Sequence, residues 1–456
     1  MNSNPQPTDV SSFTKKDIRV VMMSCIVGTT VEWYDFFLYG MAAGLVFNKL
    51  YFPSDDPLIG TILAFASFAV GFVARPVGGL VFGHIGDRVG RKKTLVTTMM
   101  IMGIATFLIG VIPTHAMIGF AAPLLLVICR IAQGVAVGGE WGGAVLMAVE
   151  YASKGKRGLY GSFPQIGLAV GLVLGTGVFA FLGGVMSDAS FLSWGWRVAF
   201  MFSAVLVGVG LFIRLKVMET PAFAKLEKAE ARAVIPAVEL AKDRQSRRNI
   251  ILGMGARWAE GVAFNLWAVF IITYAATSLD VSQGTILTAV MVGAIIMVGV
   301  IPLMGRLSDH FDRRRMYALG VVALGILTYP TLLLIGTGNP LLIFISIGIV
   351  LGVVYPVVYA PEASLFAELF PTWTRYSGIS VVYQISGIVA SGMTPLILSY
   401  LLREGDGHIG SIVAYVLAVT VISGVSALLI RRTDMFTEDT EDDKHRERSH
   451  KAPVGP

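Results

Sequence analysis

Two acidic residues three positions apart, Glu32 and Asp35, stand inside an apolar stretch that starts near residue 20. At i and i+3 both carboxylates fall on one helix face. Arg130 stands inside a second apolar stretch, and Arg257 and Glu260 form another i, i+3 pair inside a third. At about 1.5 Å of rise per residue, Glu32 lies roughly 18 Å and Arg130 roughly 14 Å into their stretches. A charge at that depth in lipid costs roughly 2.5 to 3.5 kcal/mol on insertion scales, so each needs a partner or a water-filled cavity. Two like charges on one face discourage simultaneous ionisation, which makes Glu32 and Asp35 candidate proton carriers with Arg130 as counter-charge. The plainer reading is a permanent ion pair of these acids with Arg75 or Arg130. Arg257 either neutralises Glu260 or, released from it, clamps a planar carboxylate through paired hydrogen bonds that Lys cannot imitate.

These residues must be positioned by helices in a membrane. Hydrophobic residues make up 55% and charged residues 14% of the 456 positions, with a mean hydropathy of +0.71. A soluble domain does not carry that balance. Six apolar runs lie near 20–47, 59–84, 94–112, 121–149, 159–182 and 195–217. Six more lie near 249–275, 285–305, 316–336, 341–365, 377–402 and 410–431. Each is long enough to cross a bilayer as a helix. The fold expected is an all-α membrane protein with twelve transmembrane helices in two pseudo-symmetric six-helix bundles, 20–217 and 249–431. Residues 1–19 form an N-terminal tail, 218–248 a charged connector and 432–456 a disordered tail.

With the N-terminus inside, 30 of the 36 Lys and Arg fall in cytoplasmic segments, which puts both termini in the cytoplasm. The net charge of +6 is then a topology signal, and no basic domain is left for nucleic acid. Cys25 and Cys129 both fall inside predicted spans, so no disulfide is expected. The first span is too long for a signal-peptide core and is expected to be retained.

The halves repeat each other. Gly83 and Asp87 recur as Gly305 and Asp309, 222 residues later, and Arg91 to Lys93 recur as Arg313 to Arg315. Glu140 and Glu362 share that offset, while Glu150 with Arg157 returns as Glu368 with Arg375 at an offset of 218. Two repeated halves that rock about a central site carry a polar solute through lipid without an open pore. Arg130 from one half and Arg257 from the other would hold an anion where the halves meet. Glu140 and Glu362, near the cytoplasmic ends of the fourth and tenth helices, are expected to pair with the basic loops. Tyr355, Tyr359, Tyr383 and Gln384 could add contacts in the second half. Glycines such as Gly134, Gly138, Gly167 and Gly171 read mainly as close helix packing.

The segment Gly83, Asp87, Arg88, Gly90, Arg91 resembles the loop signature between helices 2 and 3 of the major facilitator superfamily. That resemblance implies that Asp87 engages basic groups and a helix terminus in its own half, a latch holding the outward-open state. The second copy departs from the pattern, with His310 at the position of Arg88 and Asp312 at that of Gly90. A narrower resemblance, to the metabolite:proton symporter family, rests on several strings. They are Glu32-Trp-Tyr-Asp35-Phe36, Arg75-Pro76 with Gly78-Gly79, the run from Arg130 and Gln133 to Glu140-Trp141-Gly142-Gly143, and Trp194-Gly-Trp196-Arg197. The shikimate and organic-acid branches look nearest. The resemblance implies symport of protons with organic acids, or with zwitterionic osmolytes, by a monomer of the bacterial inner membrane that needs no cofactor. It associates the Arg130 and Gln133 element with proton coupling, so that Arg130 alternates between a carboxylate and substrate.

Other classes fit less well. All six histidines lie in predicted loops, span ends or the tail, so neither a metal site nor a membrane enzyme is expected. A Gly-Lys-Ser/Thr phosphate loop does not occur, which disfavours an ATP-driven pump. A drug:proton antiporter would favour an aromatic, acidic cavity, whereas here acids are paired with arginines. A nutrient sensor would need an added signalling region.

Overall fold

Lipid offers no hydrogen bonds to backbone groups, so each crossing segment must satisfy its own, and a helix does that. The computed structural model describes residues 15–89, 91–138, 140–153, 155–216, 240, 242–279, 281–371 and 374–436, and all regular structure among them is helical. The first half contains α1 (Lys15–Ala42), α2 (Pro57–Val89), α3 (Arg91–Val111), α4 (Ala121–Val137, resuming as Trp141–Glu150), α5 (Arg157–Val185) and α6 (Trp196–Lys216). The second contains α7 (Arg244–Asn265, continuing to Ile271–Ser278), α8 (Gln283–Ser308), α9 (Arg313–Gly336), α10 (Pro340–Ile347, resuming as Tyr355–Ala367), α11 (Arg375–Gly387, resuming as Thr394–Glu404) and α12 (Gly410–Leu429). Ten helical segments meet the length and hydropathy of a membrane span. The remaining two are α1, diluted by its charges, and α3, whose apolar part is only Val96–Val111.

Local sequence sets the helix starts. Asp243, Ser282, Asp312 and Asn339 cap α7 to α10, each side chain accepting a backbone N–H of the first turn. The repeat is also written in the backbone. A wide π turn, Ala43–Phe47, ends α1, and its counterpart Leu266–Phe270 interrupts α7 after 223 residues. Such turns re-aim side chains and collect at functional sites.

The halves meet along two symmetric seams, α5 against α8 and α2 against α11. Glycine permits the first. A Cβ on Gly305 would stand 2.6 Å from the Ser162 side chain and 2.8 Å from the Gly158 carbonyl.

Five residues of the expected C-terminal tail, 432–436, are described, and the rest of it lies outside the described residues. Arg432–Asp434 makes a short 3-10 turn, Met435 is buried, and the Phe436 N–H donates to the Glu368 carbonyl at 2.7 Å. Arg248 pairs with Asp434, and Gln245 and Asn249 donate to its carbonyl, so the turn is strapped to the start of α7.

Candidate functional site: a charged cavity and a second buried cluster

One cavity gathers the charges of the first half. It is lined by Glu32, Asp35 and Phe36 of α1, Gly71 and Arg75 of α2, Met102 of α3, and Arg130, Gln133, Gly134 and Val137 of α4. Its volume is about 10 Å³. That is room on the order of one water. Two acids and two guanidiniums therefore line one small space. All four are at most 6% exposed.

Asp35 does not touch Arg130 directly. Thr106 donates from Oγ1 to Asp35 Oδ2 at 2.8 Å, Gln133 donates from Nε2 to Thr106 Oγ1 at 2.7 Å, and Arg130 donates from Nη1 to Gln133 Oε1 at 3.2 Å. Arg130 is further held by its Nε–H to the Phe68 carbonyl at 3.3 Å and by the Tyr39 ring, 4.4 Å below its Cζ. Arg75 lies over Phe72 at 4.2 Å, with Glu32 in electrostatic range. Aromatic faces attract a guanidinium without neutralising it, so both cations keep their capacity for an anion. Gly71 makes room for this. A Cβ there would come within 2.6 Å of Arg130 Nε.

A second cluster lies in the other half. Arg257 Nη2 is 3.7 Å from Glu260 Oε2, and its Nε is 3.7 Å from Glu362 Oε1. Its Nη1 donates to Ser386 Oγ at 3.3 Å, and its Cζ sits 3.7 Å above the Tyr383 ring. Tyr355 donates its hydroxyl to Glu260. Arg75 of the first cluster lies in electrostatic range of Arg257 and Tyr383.

The halves are bonded at both ends. At the end carrying the repeated basic loops, Asp309 accepts the Gly158 N–H at 2.6 Å and the Leu159 N–H at 3.0 Å, closing the first turn of α5 across the interface. Arg313 holds Asp309 at 2.8 Å and also pairs with Glu368. Burial pushes the Glu368 carboxyl above the usual range, against the pull of Arg313. At the opposite end Arg403 pairs with Asp56 at 3.0 Å. Two amides bridge the middle in symmetric fashion: Gln165 of α5 donates to the Tyr359 carbonyl at 3.0 Å, and Gln384 of α11 to the Gly138 carbonyl at 2.9 Å.

Two six-helix halves bonded at both ends, with a buried charged cavity inside the first, suit a carrier, and comparison with known proteins agrees. Residues 20–429 match the family described as sugar (and other) transporter. This chain belongs to that family. The transporter is 38% identical over 418 residues to the inner membrane metabolite transport protein YhjE of Escherichia coli, covering 91% of this chain and 94% of that one. It is 37% identical over 427 residues to the shikimate transporter of the same organism, covering 93% and 97%. A proline/betaine transporter of Escherichia coli is 35% identical over 435 residues, covering 93% and 86%. Among solved structures, a D-xylose-proton symporter shares the fold with a TM-score of 0.70 at 17% identity, covering 93% of this chain and 99% of that one. The transporter is thus a multi-pass membrane protein of the major facilitator fold.

The structure redistributes several residues singled out in the sequence. Glu362 does not pair with the basic loops: it is wholly buried against Arg257, because the end of α10 turns it into the second half's core. Glu140 is also buried. Arg257 is absent from the cavity that Arg130 lines, so the two arginines do not form one clamp here, whereas Arg75 of the first half lies in electrostatic range of the second cluster. Tyr355 and Gln384 are engaged by protein groups. The side chains of Asp87, Arg88 and Arg91, the surroundings of Gly83, and all of Gly90 lie outside the described residues. The departing copy, Asp309 with Arg313, forms a latch of its own, and it grips the opposite half. Sequence reasoning missed Thr106, Tyr39 and Ser386. The deepest of the four threonines of α3, beyond the apolar run Met99–Ala105, was the available signal for the first.

Proposed function

We propose that this transporter is a proton-coupled symporter that imports a small organic acid by alternating access, with both termini on the cytoplasmic side of a bacterial inner membrane. The observation that carries the proposal is the charge balance of the first-half cavity, lined by Glu32, Asp35, Arg75 and Arg130. With both acids ionised the four groups sum to zero and offer an anion nothing. One proton on Asp35 or Glu32 leaves one guanidinium uncompensated, and a carboxylate then restores neutrality. Burying an unpaired charge costs several kcal/mol, so proton and carboxylate bind best together and leave together. Coupling follows from that mutual dependence.

A shikimate transporter among the relatives supports an acid as cargo. The test is binding of shikimate to purified protein at acidic and at neutral pH, beside its uncharged amide. Tighter binding of the acid at acidic pH, with the amide failing to compete, supports the reading. Equal competition by the amide contradicts it.

A second reading has its own observation. The second cluster sets one guanidinium, Arg257, beside two carboxylates, Glu260 and Glu362, so a zwitterion would find a partner for each of its charges there. A proline/betaine transporter among the relatives points the same way. Glycine betaine displacing shikimate would favour it.

A further inference from the structure

In the second half, one arginine serves two buried carboxylates. Arg257, Glu260 and Glu362 are at most 3% exposed, and Glu362 is wholly buried. The ionisable groups facing Glu362 are Arg257 and Glu260 of α7, Tyr317 of α9, Tyr383 of α11, and Tyr355 and Tyr359 of its own helix. Tyrosine is neutral near pH 7. With both glutamates ionised the pocket would therefore hold one uncompensated negative charge. Arg75, reaching in from the first half, has Glu32 as its own counter-charge.

The hydrogen bonds separate the two acids. Glu260 accepts the Tyr355 hydroxyl, which supports its ionised form. Among the described residues Glu362 has no hydrogen-bond partner on either oxygen, and Arg257, 3.7 Å from each acid, stands beyond charge-assisted hydrogen-bond distance of both. An ionised carboxylate buried with neither a donor nor a cation of its own costs several kcal/mol. Two carboxylates sharing one cation in such a place do not both ionise.

We propose that Glu362 carries a proton in this closed state, so that the Glu260 and Glu362 pair around Arg257 is a second proton-binding site, in the opposite half from Glu32 and Asp35. The site is complete without substrate. The trio is then neutral, and ionisation of Glu362 requires the pocket to open to water or a second cation to enter.

Infrared spectroscopy of the purified protein tests this without any ligand. In an ester-free detergent at neutral pH, the Glu32→Gln/Asp35→Asn variant should still show the carbonyl-stretch band of an un-ionised carboxyl, moving to lower frequency in heavy water. Adding Glu362→Gln should remove that band, and Glu362→Asp should keep it at a shifted frequency. Should the double variant fail to fold, loss of one band component in the single Glu362→Gln variant is the equivalent result. A band that survives Glu362→Gln, or that disappears only in Glu260→Gln, overturns the assignment. So does the absence of any such band.

Discussion

Asp35 and Arg130 line the same cavity yet meet only through Thr106 and Gln133, whose side chains relay one to the other by hydrogen bonds of 2.7 to 3.2 Å. A direct ion pair would lock both charges. A relay leaves Arg130 able to turn toward an anion while still sensing the state of Asp35, and it makes Thr106 a residue whose loss should uncouple the two.

Thr106→Val keeps the shape and removes the hydroxyl that serves both Asp35 and Gln133. Leaving buried polar atoms unpaired costs about 1 to 3 kcal/mol, so a lower melting temperature is expected. Uphill shikimate uptake should fall at least several-fold while shikimate exchange without a gradient persists. Equal loss of both activities would mean that Thr106 only supports the fold.

Gly71→Ala places a methyl where Arg130 Nε now lies, 2.6 Å away. The guanidinium must leave its seat over Tyr39, and binding of the acid should weaken about tenfold, or about 1.4 kcal/mol. Gly183→Ala, at a position with open space around it, is the matched control. If both variants bind like the parent, Arg130 does not hold the substrate from its present seat.

Asp309→Ala removes a helix cap that one half provides for the other. Losing a cap costs about 0.5 to 2 kcal/mol, which would shift the balance of closed and open states by roughly 2- to 30-fold. Spin labels at the exposed Lys156 and Arg306 should report a longer separation in the variant. An unchanged distance distribution would remove this latch from the account.

The pair at the other end should not be a physiological pH sensor. Asp56 is held below the usual carboxylate range by its hydrogen bond from Arg403, helped by the Leu58 N–H. Because the closed-state value is depressed, the contribution of the pair is fully present above the ordinary Asp range, near 3.9, and is lost only as pH falls below it. Arg403→Gln should raise the rate of opening at that end by the same factor at pH 6 and pH 8, with the parent's salt sensitivity reduced. A pH-dependent ratio across that range would contradict the assignment.

The architecture was legible because lipid enforces part of it: apolar runs of span length follow from the solvent, and the 222-residue repeat divides them into two halves. Burial of Glu32, Asp35, Arg130 and Arg257 was legible for the same reason. Their partners were not, since helix rotation and tilt decide which faces meet. Glu362 shows the limit. Its depth along α10 suggested the basic loops, and only the packing of α7 and α9 against α10 turned it toward Arg257. Thr106 and Gln133 join Asp35 to Arg130 because α1, α3 and α4 converge, which no spacing within one helix reveals.

The central claim is that a proton on the first-half acids and a carboxylate on its arginines bind as a unit. The most direct measurement is shikimate accumulation in liposomes under an imposed pH gradient, comparing the parent with Asp35→Asn and Glu32→Gln. The account predicts that at least one variant loses accumulation against the gradient yet still exchanges internal for external shikimate. Full accumulation in both variants would contradict it.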